Sequence, residues 1–278
     1  MPVPPEIFRP AGLNHVRMFL ILFCVGLAAT LIVNFRDQFL YFRTAPQRLY
    51  GRPPGLLGWL PAPSLSSGQF WIAGAVLIVS LLGVAAGVVP HLLLAIALVC
   101  HFVYFNPITS LAYVQRKANL AWVVLLILLV SPALDRPLRE PAPQWPIVLA
   151  KIALAQMYLA AGVQKLRRTG WRWCSGGSLQ AYLVEHYLWG DMTWAFRVAR
   201  SAWLCRILST GVLAFELTFI LIVIVPGLTW WYVMAGVAFH AGTAAVMRID
   251  YWKYVAPVYL VFVTAPALQL VNWFTAHY

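Results

Sequence analysis

Three polar side chains recur every seven residues within one apolar run: Lys151, Tyr158 and Lys165 in KIALAQMYLAAGVQKL. Seven residues fall about 20° short of two full α-helical turns, so the three share one stripe. Two amines and a phenol on one face of an Ile, Ala, Leu, Met and Gly helix can donate, accept and relay protons. A charged lysine is costly in hydrocarbon, and both should face other helices or a watery cavity. Burial disfavours the charged form of an amine, and a neutral lysine can act as a base or a nucleophile. Lys165, at the end of the run, can equally be an anchor snorkelling to headgroups. Gln156 lies nearby in sequence and joins the candidate set.

Past Lys165 the chain turns polar and Gly-rich, in Trp171-Arg172-Trp173-Cys174-Ser175-Gly176-Gly177-Ser178. This is either an interfacial loop with aromatic anchors or one whose Gly176 and Gly177 let backbone amides approach an anion. Glu216, in LAFELTF, is flanked by apolar sequence and should pair with Lys151, Lys165 or His240, as a catalytic partner or a structural ion pair. His240 lies among Gly236, Ala241, Gly242, Ala244 and Ala245, a setting for close helix packing. It reads as a hydrogen-bonded core residue or a catalyst. His101, in LVCHFVYF, reads as structural. The sequence contains no HExxH, GxSxG or P-loop and no His/Cys/Asp/Glu cluster with metal spacing, so no dedicated metal or nucleotide site is expected.

Composition dictates the elements that position these groups. Of 278 residues, 62% are hydrophobic and 10% charged, with a mean hydropathy of +0.77. A soluble domain carries about 25% charged residues. The chain is therefore expected to be an all-α, polytopic integral membrane protein, a single transmembrane domain over residues 1–278 with about eight spans. The apolar runs place these at about 15–35, 70–89, 91–105, 119–134, 147–166, 207–225, 229–246 and 254–274. Arg36-Asp37 should stop the first. A Leu56–Leu60 patch is expected to dip into the interface, and Leu179–Leu188 to form a short interfacial helix.

The net charge of +12 invites a polyanion partner. The arginines sit in short loops between apolar runs, which points to membrane topology and lipid headgroups and away from nucleic acid. Eight spans put both termini on one side with Arg9, Arg17, Arg136, Arg139 and Lys151; the other fifteen of the 20 Lys and Arg lie opposite. The positive-inside rule then puts the Lys165 end in the cytoplasm. Cys24, Cys100, Cys174 and Cys205 show no CxxC spacing and read as small packing residues.

The run Tyr158-x-x-Ala161-Gly162-Val163-x-Lys165-Leu166, with Trp171 or Trp173, Gly176 or Gly177, Ser178-Leu179, Tyr182-Leu183 and His186, resembles the membrane core of vitamin K-dependent γ-carboxylase. The wider group is the horizontally transferred transmembrane (HTTM) domain family. Phe239-His240 and Asp250-Tyr251-Trp252 resemble that family's Phe-His segment and last helices, and Lys151 falls where it tends to have a basic residue. The likeness covers about residues 110–262. It implies a quinol cofactor, such as vitamin K hydroquinone, deprotonated by Lys165 so that oxygen can turn it into a base. That base takes a γ-proton from a substrate glutamate, and carbon dioxide adds. His240 and Glu216 would be catalytic, and Lys151, Tyr158, Gln156, Trp171, Gly176 and Gly177 would bind the cofactor. The group's bacterial members imply a plasma (inner) membrane location among membrane lipids, with a protein or peptide as substrate or partner subunit. Two departures stand out. Lys117-Ala118-Asn119 stands where the carboxylase has a histidine, and the carboxylase's large soluble region has no counterpart in these 278 residues. The alternative is a non-enzymatic membrane component that binds a quinone, lipid or partner protein in peptide maturation or export.

Overall fold

The computed structural model of the chain describes residues 14–44, 65–111, 119–138, 140–190, 192–247, 249 and 251–267. All of the regular elements among them are helices. The Leu56–Leu60 patch, Lys117-Ala118, Asp250 and the end of the expected eighth span lie outside the described residues.

Packing decides the length of the first helix, α1, which covers His15–Thr44. Arg36 and Asp37 are exposed and do not stop it. Leu31, Gln38 and Phe42 keep its inner face buried. Phe42 stacks on Phe70 with centroids 4.3 Å apart, and the Tyr104 hydroxyl donates to Gln38 Oε1 at 2.7 Å. Charges on the outer face leave the helical hydrogen bonds intact, and the buried face rewards continuation. At about 1.5 Å per residue α1 is roughly 45 Å long, beyond the ~30 Å hydrocarbon thickness of a bilayer.

Two more long helices follow, α2 (Ser67–Ala85) and α3 (Pro90–Leu111). Ser66 and Gln69 close α2 with a reciprocal capping box. The turn into α3 uses Gly87 at φ +83 and a left-handed Val89 at φ +31. Gly74 lets α2 approach its neighbours, since a Cβ there would stand 2.5 Å from Phe35 and 2.7 Å from Tyr104. α4 (Asn119–Leu129) has 11 residues and stops before Pro132, short of the expected Leu134. Near the end of the chain, α11 (Trp252–Tyr259) holds Pro257 and gives way to a 3₁₀ turn over Leu260–Phe262, where one continuous span was expected.

Cα packing divides the chain into two compact units, one reaching Ala150 and resuming at Lys253, the other covering Lys151–Trp252. The second holds every charged or titratable candidate. Its elements are most of α5 (Trp145–Thr169), a 3₁₀ turn (Gly170–Ser175), α6 (Gly177–Gly190), α7 (Thr193–Ala199), α8 (Ala202–Thr218), α9 (Leu221–Ile224) and α10 (Thr229–Met247). Pro146 suits the first turn of α5, and Arg167 and Arg168 its last. α6 covers Leu179–Leu188, where the sequence predicts a short helix. The expected sixth span is replaced by α8, which meets α7 at 98° and breaks after Thr218.

Among the described residues four helical runs are long and apolar enough to cross a membrane: α1, α2, α3 and α5 with its 3₁₀ turn. The α7 and α8 pair adds a fifth if counted as one bent span. Large apolar side chains point outward, among them Val33 at 80% and Val79 at 68% exposure. In lipid such a surface is the ordinary exterior, which is consistent with an integral membrane protein.

Candidate functional site

α5 carries the stripe, and Gly162 brings α8 onto it. A Cβ at Gly162 would lie 3.0 Å from Leu217 and 3.1 Å from Glu216 Cβ. That close approach lets two side chains meet three residues further on: Lys165 Nζ stands 2.5 and 2.6 Å from the two carboxylate oxygens of Glu216. The Glu216 side chain is 4% exposed and that of Lys165 is 22% exposed. Removed from water, a pair of this kind attracts strongly only because both charges are satisfied.

The 3₁₀ turn after α5 places the Trp173 ring 5.4 Å from Lys165 Nζ. The indole Nε1 of Trp173 is buried and has no hydrogen-bond partner. An N–H donor left unmatched costs about 1–3 kcal/mol, so an acceptor brought to it would be held.

About 10 Å back along the α5 axis, seven residues at 1.5 Å each, a second pair forms. Tyr158 OH and His240 Nε2 are 2.6 Å apart, and both residues are buried. In the Nδ1–H tautomer of His240 the phenol donates and Nε2 accepts. Aromatic rings surround the pair: Phe219 at 4.4 Å and Phe215 at 5.1 Å from the Tyr158 ring, Phe239 at 5.1 Å and Trp252 at 5.9 Å from His240.

The remaining candidates do not gather here. Lys151 is half-buried one heptad before Tyr158 on the same stripe. Gln156 is exposed, since two residues rotate a helix by about 200° and carry it to the opposite face from Tyr158. Trp171 is 74% exposed, and the ring over Lys165 is Trp173. Gly176 and Gly177 do not direct open amides at an anion. The Gly176 N–H donates to Trp173 O at 3.2 Å and the Gly177 N–H to Ser175 Oγ at 3.4 Å. Gly176 is instead needed for packing: at φ +86, an added Cβ would stand 2.6 Å from Arg206 N. Trp173 stands in the sequence motif only as the alternative to Trp171, and Phe215 and Phe219 are not among the sequence candidates. Phe215 and Phe219 sit one turn apart on either side of Glu216, a spacing that marks one face of α8. Among the described residues no three His, Cys, Asp or Glu side chains gather to hold a metal ion.

Chemically, the Lys165 and Glu216 pair can exchange a proton without a change of net charge, as ammonium with carboxylate or as amine with carboxylic acid. That exchange makes a free amine available without burying an uncompensated charge. The orphaned Trp173 N–H and its ring supply a donor and a flat apolar face beside it. No protein-family model matches this chain, nor does any curated protein or solved structure.

Proposed function

We propose that this chain is a membrane enzyme of the HTTM type, similar to vitamin K-dependent γ-carboxylase, that uses a lipid-soluble quinol to carboxylate a substrate acid on a protein or peptide. The observation that carries the reading is the Lys165 and Glu216 pair next to the unmatched Trp173 N–H, set in apolar sequence. The reading takes the chain as eight spans in a bacterial plasma membrane, with the Lys165 end in the cytoplasm.

The cofactor, when bound, supplies with oxygen the strong base that removal of a γ-proton requires. Lys165 and Trp173 would hold it, the first through Nζ and the second through its ring and Nε1. Glu216 takes the ammonium proton of Lys165, and the freed amine becomes the place where an acidic O–H gives up its own. Glu216, almost wholly buried, holds that proton away from water. Tyr158 and His240 position α10 against α5 and α8, with their rings closing the apolar side of the site.

A second reading has its own support. The ion pair is already closed, and the rings around Tyr158 already pack on one another, with Phe215 to Phe219 at 5.3 Å. A structural pair of this kind fits a non-enzymatic component that binds a quinone, lipid or partner protein. Mass spectrometry of lipids extracted from detergent-purified protein tests for the cofactor, and carboxylation separates an enzyme from a component that only binds one. Wild type should retain a quinone, and Lys165→Ala and Trp173→Phe should lose it. Trp173→Phe removes the donor and leaves the ion pair intact. Incorporation of labelled carbon dioxide into a glutamate-containing peptide should follow the same order. Extracts holding only bulk phospholipid, together with a stoichiometric copurifying protein, would put the second reading first.

A further inference from the structure

A separate cavity lies in the other unit. The amino ends of α1 and α3 meet the connection between α4 and α5 around a space of about 480 Å³, lined by Arg17, Ile21, Gly87, Leu134, Asp135 and Arg136 among others. Its cations are held in place. Arg17 Nη1 donates to Leu134 O at 2.9 Å. Asn14 clamps the same region: its Oδ1 accepts from Arg17 N at 2.8 Å, and its Nδ2 donates to Ala133 O at 3.3 Å and Arg136 O at 3.2 Å. Gly87 makes room, since a Cβ there would stand 3.0 Å from Arg17 Nη2. Arg136 Nη1 donates to Pro141 O at 2.7 Å. Each of these bonds takes one of the five donors that a guanidinium carries.

Charge of the other sign is also present. Asp135, its side chain 75% exposed, reaches His91 Nδ1 with Oδ1 at 3.3 Å. The cavity therefore presents two guanidinium groups, each with donors left over, beside one carboxylate. The guanidinium groups favour a phosphate. The carboxylate disfavours a bare phosphate dianion and favours a ligand with its own cation.

We infer that this cavity seats a phosphate ester bearing a primary ammonium, the headgroup of phosphatidylethanolamine, with the phosphate on Arg17 and Arg136 and the ammonium on Asp135. Its source is a membrane lipid. α1 and α3 are among the helices long and apolar enough to cross a bilayer, and the cavity lies at their amino ends. Ile21 lines the cavity, and Val25, one turn further along the same face, is 46% exposed, a track for an acyl chain.

Native mass spectrometry of the full chain, delipidated in detergent and titrated with phosphatidylethanolamine and phosphatidylglycerol at equal concentration, tests this. Wild type should carry phosphatidylethanolamine preferentially. Arg136→Gln, at an exposed position, should weaken that adduct about tenfold, the worth of one charge-assisted bond. Asp135→Asn should keep lipid binding and lose the preference for the ammonium headgroup. Arg17→Gln should weaken the adduct too, and Arg136→Gln keeps the test decisive if loss of the Arg17 clamp unfolds the protein. Equal binding of both lipids by wild type, or unchanged adducts in Arg136→Gln and Asp135→Asn, would overturn the inference. Displacement of the lipid by millimolar inorganic phosphate would also overturn it, in favour of a free-phosphate site.

Discussion

Removing one member of the Lys165 and Glu216 pair and removing both are different perturbations. Lys165→Met leaves a carboxylate of 4% side-chain exposure without its ammonium. Losing that ammonium should cost toward the lower end of roughly 3–5 kcal/mol, because the Lys165 side chain is 22% exposed. The double variant Lys165→Met with Glu216→Leu removes both charges and should recover most of that loss in thermal unfolding. Quinone retention should be absent in both, so stability and function part company only if the pair does more than hold helices together. Recovery of quinone binding along with stability in the double variant would make the pair structural. Tyr158→Phe removes the hydroxyl from a bond 2.6 Å long between two buried residues and should lower stability by about 1–3 kcal/mol, roughly 5 °C in melting temperature. Tyr182→Phe, at a position 53% exposed, should change little. The stripe of Lys151, Tyr158 and Lys165 was legible from spacing alone, and so was the need of Glu216 for a cation. Which cation it takes was not legible, because that depends on how far α8 slides along α5. Gln156 could have been set aside from sequence, since it lies two residues from Tyr158.

Elements here are joined by close approaches that only glycine permits, and one comparison isolates the effect. Gly170 and Gly176 both have left-handed backbone, at φ +60 and +86. An added Cβ at Gly170 meets nothing within 4 Å, whereas at Gly176 it meets the α8 backbone at 2.6 Å. Gly170→Ala should therefore cost only the backbone penalty, about 1–2 kcal/mol. Gly176→Ala should cost more, and should also move the Trp173 ring away from Lys165, read as a change in Trp fluorescence that Gly170→Ala does not produce. Equal effects of the two would mean that the turn is not seated on α8. The same logic explains what sequence could and could not show of the helices. α10 and α6 follow their apolar runs closely. α1 outruns its run because Phe42 finds Phe70, and α8 breaks early although Leu221–Ile224 remains apolar. A run of apolar residues reports burial or lipid, and only the neighbours decide where the helix axis bends.

At the scale of the whole chain, the charge asymmetry makes a prediction that the helix lengths do not. α5 with its 3₁₀ turn is one of the runs able to cross a bilayer, so Gln144 just before it and Ser175 at its end should lie on opposite sides. Five of the 20 Lys and Arg fall on the Gln144 side and fifteen on the Ser175 side in the eight-span reading. Positive charge is retained in the cytoplasm, so that reading predicts Ser175 inside. With the four native cysteines replaced, Gln144→Cys should be labelled by a membrane-impermeant maleimide in intact cells and Ser175→Cys only after lysis. The reverse pattern would invert the orientation and bring the Lys165 end to the outer face. Labelling of both in intact cells would remove α5 from the membrane, and with it the expectation that a quinol reaches Lys165 through the bilayer. The proposed function stands or falls with that result, because a Lys165 and Glu216 pair open to water on all sides would exchange its protons with solvent and have no hold on a reaction that must exclude it.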